Sequence, residues 1–302
     1  MSDPVMSSDD FWQPSTEKQT LALGNEATLR WVHLGFGFGI VSICVALMVV
    51  LAPFSPVTDV FVQVTDCSDF NESGIQDGDC PHDIEIASWN LEVFGQSKAN
   101  NPGELSEIAE KISNYDIVAV QEIKDKNPGT APYILQDEVE KYGEYGMVLS
   151  NRTGSFCEEN PYASEQYAFF YNNDTIKQLE SEHHYPDIDC DFSREPFAAR
   201  FQSSQYDYSF VLITLHVKPD DALNETKALV NVFEWAKFQY PAEEDFILLG
   251  DLNADCSYAR SSELDELAIR NGSYQWIIPD GTNTNTAESS SCAYDRMIIG
   301  DG

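Results

Sequence analysis

From residue 84 onward, short apolar runs alternate with stretches of helical periodicity. Residues 84–90, Ile-Glu-Ile-Ala-Ser-Trp-Asn, have the length and the β-branched and aromatic content of a strand. Leu105, Ile108, Ala109 and Ile112 recur at i, i+3, i+4 and i+7, which places them on one face of a helix. Ile117-Val118-Ala119-Val120-Gln121 is a nearly continuous apolar run, as expected of a strand covered on both faces. Residues 167–171, 210–215, 246–249 and 294–299 read as further strands. A helix is predicted from Asp220, its candidate cap, through Val230 and Phe233 toward Phe238. Several strand-to-strand steps have no helix between them, so the sheets cannot be purely parallel. The pattern predicts an α/β domain of two packed mixed β-sheets flanked by helices, a four-layer sandwich, over residues 83–302.

Upstream the texture differs. Val32 to Ala52 is a run of 21 residues without Asp, Glu, Lys or Arg. As a helix it is roughly 30 Å long, the thickness of a bilayer core. The expected organisation is a cytoplasmic tail at 1–30, one transmembrane signal-anchor helix at 31–54 and an acidic stalk at 55–82, ahead of the domain. A cleaved secretory signal is the rival reading. It fits less well, because 31 residues precede the run and Leu51-Ala52-Pro53 lacks a small-x-small cleavage pattern. Lys18 and Arg30 precede the run, and the next basic residue after it is Lys98. Basic residues stay on the cytoplasmic side, so the N-terminus is expected inside and the domain outside the cell.

Charge and cysteine content sharpen this. The chain has 302 residues with 17 Lys and Arg against 51 Asp and Glu, a net charge of −34. With 42% hydrophobic residues it is too apolar for an acidic disordered chain. Such acidity excludes a surface that gathers polyanions by bulk charge, though not a local site with its own cations. It also suits a salt-rich environment. Beyond Cys44 inside the run, six cysteines remain: Cys67, Cys80, Cys157, Cys190, Cys256 and Cys292. An even number suits an oxidising compartment, and their spacing fits no zinc pattern. Asn-x-Ser/Thr sequons at Asn71, Asn151, Asn173, Asn224 and Asn271 all follow the apolar run.

Polar groups recur where the strands end: Asn90, Glu122, His216, Asp251 with Asn253, and Asp295. Any one of them reads blandly as a turn former or a packed histidine. Together they are the inventory for metal-assisted phosphoester hydrolysis. Carboxylates and amides without thiolate suit a hard cation, Mg²⁺ or Ca²⁺, and a histidine beside them suits acid–base work.

These residues sit in longer strings: Ser88-Trp89-Asn90-Leu91, Val120-Gln121-Glu122, Ser193-Arg194-Glu195-Pro196, Leu215-His216, Gly250-Asp251-Leu252-Asn253-Ala254-Asp255-Cys256-Ser257-Tyr258 and Cys292-Ala293-Tyr294-Asp295-Arg296. In that order they resemble the deoxyribonuclease I branch of the endonuclease/exonuclease/phosphatase superfamily. The resemblance implies a metal-dependent endonuclease acting on DNA. It implies His216 as a catalytic histidine oriented by Glu165, with Asn90, Glu122 and Asp251 as metal ligands. Asp251 and Asn253 would stabilise metal or phosphate, Asp295 would orient a second histidine, and Arg194 would contact a backbone phosphate. Tyr258 would meet the substrate, and Lys124 would add a nearby cation. It also implies a Cys256–Cys292 disulfide, leaving Cys157 to pair with Cys190. Two departures stand out. The family carries a basic residue in the loop after the first strand, where this chain has Glu92. The family also ends in a Ser-Asp-His segment; this chain stops at Gly302, so the domain reads as C-terminally truncated.

The partners expected are therefore DNA and, through residues 31–54, a membrane; no protein partner is inferred. Two alternatives remain open at this stage. One is a superfamily phosphodiesterase or phosphatase acting on lipid or nucleotide. The other is a non-catalytic binding ectodomain that kept the fold.

Overall fold

A computed structural model of the chain describes residues 32–34, 41–49, 60–66, 84–125, 129–154, 164–286 and 290–301. The domain contains two sheets. Strands β4 (Ile86–Phe94), β5 (Ile117–Ile123), β6 (Tyr145–Leu149) and β7 (Gln166–Asn172) form the first, in the order β4-β5-β7-β6. The second runs β13 (Tyr274–Trp276), β14 (Asp295–Asp301), β12 (Asp245–Asp251), β11 (Ser209–His216), β10 (Phe197–Ser203) and β8 (Ile176–Gln178), with β9 (His183–His184) also on β10. Both sheets are mixed. β4 and β5 are parallel, as are β11 and β12, and the other pairs within these two sheets are antiparallel.

Alternation along the strands assigns the layers. In β5, Ile117 and Ala119 enter the core between the sheets, whereas Val118 and Val120 pack outward. In β12, Ile247 and Leu249 face the inter-sheet core, and Phe246 and Leu248 face outward. Helices α2 (Pro102–Ile112) and α3 (Ala131–Val139) cover the first sheet through Leu105, Ile108, Ala109, Ile112, Leu135 and Val139. Helix α4 (Ala222–Gln239) covers the second through Leu229, Val232, Phe233 and Ala236. Short helices α1 (Gln96–Ala99) and α5 (Ser261–Leu264) complete the set. This is the expected four-layer sandwich. The cap of α4 differs from expectation by one residue. Pro219 closes a 3-10 turn over Pro219–Asp221, so Asp221 holds the N-cap position and its carboxylate accepts a hydrogen bond from Asn224 Nδ2 at 2.6 Å.

The expected membrane helix is not a helix where it is described. Strands β1 (Val32–Leu34), β2 (Val41–Val49) and β3 (Val60–Asp66) pair as an antiparallel sheet. The β2 sequence is rich in β-branched residues, which suit a pleated surface. The rest of 1–59, Cys67 and Cys80 of the stalk, Asn71 and Cys157 lie outside the described residues. Among the described residues, no helix is long and apolar enough to cross a membrane.

Candidate active site at one end of the sandwich

The inter-sheet rows end in polar groups. On β4, the row through Ile84 and Ile86 continues to Ser88 and Asn90; on β5, the row through Ile117 and Ala119 continues to Gln121. On β11, Phe210 and Leu212 lead to Thr214 and His216, and on β12, Ile247 and Leu249 lead to Asp251. β7 and β14 run the other way, so their rows begin where the others finish, at Glu165 and Asp295. Side-chain alternation and strand direction together deliver Asn90, Glu165, His216, Asp251 and Asp295 to one rim. Glu122 is out of phase with its row. It joins the rim because β5 is bulged here and Glu122 adopts a left-handed backbone, φ 61°. Bulges re-aim side chains in this way, and strain of this kind collects at functional sites.

Hydrogen bonds define the arrangement. His216 Nδ1 lies 3.1 Å from Glu165 Oε1 and 3.3 Å from Oε2. Its Nε2 lies 3.8 Å from Asp251 Oδ2. With Nδ1–H held by the carboxylate, Nε2 carries the lone pair and faces the acidic side of the rim. Asn90 Nδ2 donates to Glu122 Oε1 and to Asp251 Oδ2, both at 3.1 Å. Lys124 Nζ stands 3.3 Å from Glu122 and 3.5 Å from Glu165. Burial opposes the charged form of His216, but the Glu165 carboxylate outweighs it, and the imidazole pKa is raised. Burial likewise works against ionised Glu122, yet His216, Lys124 and Asn90 hold its carboxyl below the usual range.

The remaining residues frame this cluster. Asn253, at φ 48°, turns its amide to the Val217 carbonyl at 2.9 Å, while its backbone N–H donates to Asp251 Oδ1. Asp295 pairs in register with Asp251, and its N–H donates to Thr284 Oγ1. Arg194 is buried, and its Nε–H donates to the His216 carbonyl at 2.7 Å. It therefore supports the His216 turn from below. Tyr258 is the outlier: it is exposed, and its ring packs on Tyr294 rather than on the cluster. A groove of about 410 Å³ opens beside the rim between Asn90, Asp251, Asp295 and Tyr294. Cys256 and Cys292 form a disulfide that ties the loop after β12 to the segment before β14. Cys190 is also disulfide-bonded.

Gly250 is required by space. A Cβ there would sit 2.0 Å from the Leu215 carbonyl oxygen of β11. Gly250→Ala is expected to push β12 from β11 between His216 and Asp251, at a cost of roughly 1–3 kcal/mol. Thermal melting should show the loss; an unchanged melting temperature would mean the strands yield without strain.

A match to the Endonuclease/Exonuclease/phosphatase family covers residues 87–298, most of the domain just described. The chain belongs to that family. Within it, the chain is similar to several deoxyribonucleases. Deoxyribonuclease gamma of Homo sapiens is 36% identical over 225 residues, covering 72% of each chain. Deoxyribonuclease-1 of Oryctolagus cuniculus is 35% identical over 225 residues, covering 72% of this chain and 77% of its own. Deoxyribonuclease-1-like 2 of Mus musculus is 34% identical over 220 residues, covering 72% and 76%. The chain is thus a deoxyribonuclease I-like hydrolase of the endonuclease/exonuclease/phosphatase family.

Three features of this family member were not singled out from sequence. Tyr167, fully buried, accepts the His216 N–H on its hydroxyl at 3.0 Å. Glu225, inside α4, accepts the N–H groups of Ser193 and Lys218 and so joins the turns on either side of Arg194 and His216. Burial, against those donors and Arg194, pushes its carboxyl up to about 7. Arg296 is buried beneath the loop after β12 and donates to the Ala254 carbonyl at 2.9 Å. A charged residue inside an apolar run or on the apolar face of a helix is the signal that marks Glu225 and Arg296.

Proposed function

We propose that the chain hydrolyses DNA phosphodiester bonds with divalent-cation assistance, His216 acting as general base on the attacking water. The observation that carries this reading is the His216–Glu165 pair. It leaves Nε2 as the lone-pair nitrogen, 3.8 Å from Asp251 Oδ2, while Nδ1 lies 3.7 Å from Glu122 Oε1. The donor set suits a hard cation, because two carboxylates share one amide and no thiolate is present. Among the described residues no group of three or more His, Cys, Asp or Glu is gathered as a complete ligand set. That is compatible with Mg²⁺, which keeps several waters and takes one or two carboxylates. Glu122 and Asp251, with Asn90, would hold Mg²⁺ or Ca²⁺. A cation bound there supplies charge neutralisation to the phosphate oxygens. Lys124 adds positive charge, and Arg194 holds the His216 turn in place. The test is nicking of supercoiled plasmid by the full chain with Mg²⁺ or Ca²⁺ and with chelator. Cutting that survives chelation would overturn the cation role, and no cutting would overturn the reading.

Exposed Glu92 lies in the bulged end of β4, two residues beyond Asn90, and lines the groove. At −34 overall, few phosphate contacts hold DNA. Glu92→Arg is expected to tighten DNA binding and to steepen its salt dependence by about one phosphate contact. Binding isotherms at several salt concentrations that superimpose on wild type would place DNA elsewhere.

The domain is further proposed to face outward from a membrane, on the asymmetry of basic residues around the apolar run. Protease added to intact cells should release it; protection would overturn the orientation.

A further inference from the structure

We propose that Gln121 is a positioning residue whose buried amide crosses the inter-sheet core and sets where His216 stands relative to Glu165, Glu122 and Asn90. The inference rests on the functional reading above. Gln121 is fully buried, and its Nε2 donates to Thr214 Oγ1 at 2.9 Å and to Ser88 Oγ at 3.1 Å. Ser88 lies two residues before Asn90, Thr214 two before His216, and Gln121 one before Glu122. The bridge is therefore the layer directly beneath the rim, and it joins β4, β5 and β11.

Its direction matters. Asn90, Glu122 and Glu165 come with the first sheet; His216, Asp251 and Asp295 come with the second. The His216–Glu165 pair thus spans two sheets that, beneath the rim where Asn90 also bonds across to Asp251, meet largely through Ile86, Ala119, Leu212, Leu249 and similar apolar groups. Apolar packing is non-directional and leaves small slides between sheets inexpensive. A hydrogen bond is directional over a few tenths of an ångström. Onto β11 itself, Tyr167 makes one such crossing, at the His216 backbone. Gln121 makes a second, one layer deeper, and two points set both the position and the tilt of β11. Stability alone does not account for the bridge, because replacing all members of a buried polar group by apolar ones of like shape is often nearly neutral. Alignment does account for it, since a misplacement of about 1 Å costs roughly 10²-fold in rate.

The experiment compares Thr214→Val, Thr214→Ser and the triple variant Ser88→Ala/Gln121→Met/Thr214→Val in the full chain. Plasmid nicking, thermal melting and hydrogen exchange at the His216 amide are measured. Thr214→Ser keeps the hydroxyl and should cut like wild type. Thr214→Val and the triple variant should lose about 10- to 100-fold in kcat with KM within threefold, while the triple variant melts close to wild type. Equal kcat in Thr214→Val and Thr214→Ser, or a triple variant that cuts like wild type, would overturn the proposal. If wild type cuts no DNA, the functional reading fails instead. The His216 amide then decides, because its protection should fall in Thr214→Val, and unchanged protection would overturn the role of Gln121.

Discussion

His216→Ala is expected to lower plasmid nicking about 10²- to 10⁴-fold, the range for loss of one acid–base group. The fold should survive, because the neighbours that hold this turn use backbone atoms: Tyr167 takes the His216 N–H and Arg194 gives to its carbonyl. The geometry also sets the sign of the pH dependence. A base works only when neutral, so the rate should climb with pH through the His216 pKa. Burial favours the neutral ring, Glu165 favours the imidazolium, and Glu165 prevails, so the midpoint lies above the usual 6.5. Glu165→Gln removes the opposing charge. The midpoint should then move to lower pH while the plateau rate falls, because an amide orients Nδ1–H less firmly than a carboxylate. A pH–rate profile of both proteins checks this. A midpoint that stays in place or rises in Glu165→Gln would show that another group sets the limb.

Glu122→Gln should lower Mg²⁺ or Ca²⁺ affinity by roughly an order of magnitude or more, with only a modest fall in the melting temperature of the metal-free protein. The first effect follows from losing one of the two carboxylates on a site that offers a hard cation few other charges. The second follows from what Glu122 faces in the free protein. Against burial, His216, Lys124 and Asn90 hold its carboxyl below the usual range, so at neutral pH the ionised side chain contributes stability that a glutamine gives up. A glutamine retains an acceptor for the Val93 N–H, which donates to Glu122 Oε2 at 3.0 Å, and so keeps the Glu92–Val93 bulge of β4 in place. That bulge is strained, with φ 47° and 61° at two non-glycine residues. Calorimetric titration and thermal melting read the two effects separately. Superimposable isotherms would remove Glu122 from the cation site. A large melting loss would make it a structural residue instead.

Much of the fold was legible because each strand carries its layers in its own alternation. The six strands expected from apolar runs are all present, with boundaries moved by a few residues. Those missed were the short or polar-looking ones. Phe197–Ser203 reads Phe-Ala-Ala-Arg-Phe-Gln-Ser, where Arg200 interrupts the run; in the folded domain it is paired with Glu180 and Glu243. Ala131–Val139 carries a proline in its first turn, and its apolar face is short. The residue 32–52 run reads as a membrane helix from hydropathy alone, since a uniformly apolar stretch carries no period to separate helix from strand.

The site divides along the same line. Residue type and alternation, both local properties of the chain, already determine that Asn90, His216, Asp251 and Asp295 extend the rows of an apolar layer, because side chains in a strand change face at every step. No local property determines that six rows meet at one rim. That required β7 and β14 to run opposite to their neighbours and the two sheets to stack face to face. Nor does alternation bring Glu122 inward; by phase it belongs on the helix side. The bulge in β5 and a left-handed backbone turn it toward His216 and Asn90. Gln121 shows the same division. In the chain it is one amide at the end of an apolar run. Once the sheets pack, an unpaired amide in that dry layer would carry a full desolvation penalty; the Ala119 carbonyl is a partner within its own strand, whereas Ser88 and Thr214, the latter 93 residues away on the opposite sheet, become partners only through the fold.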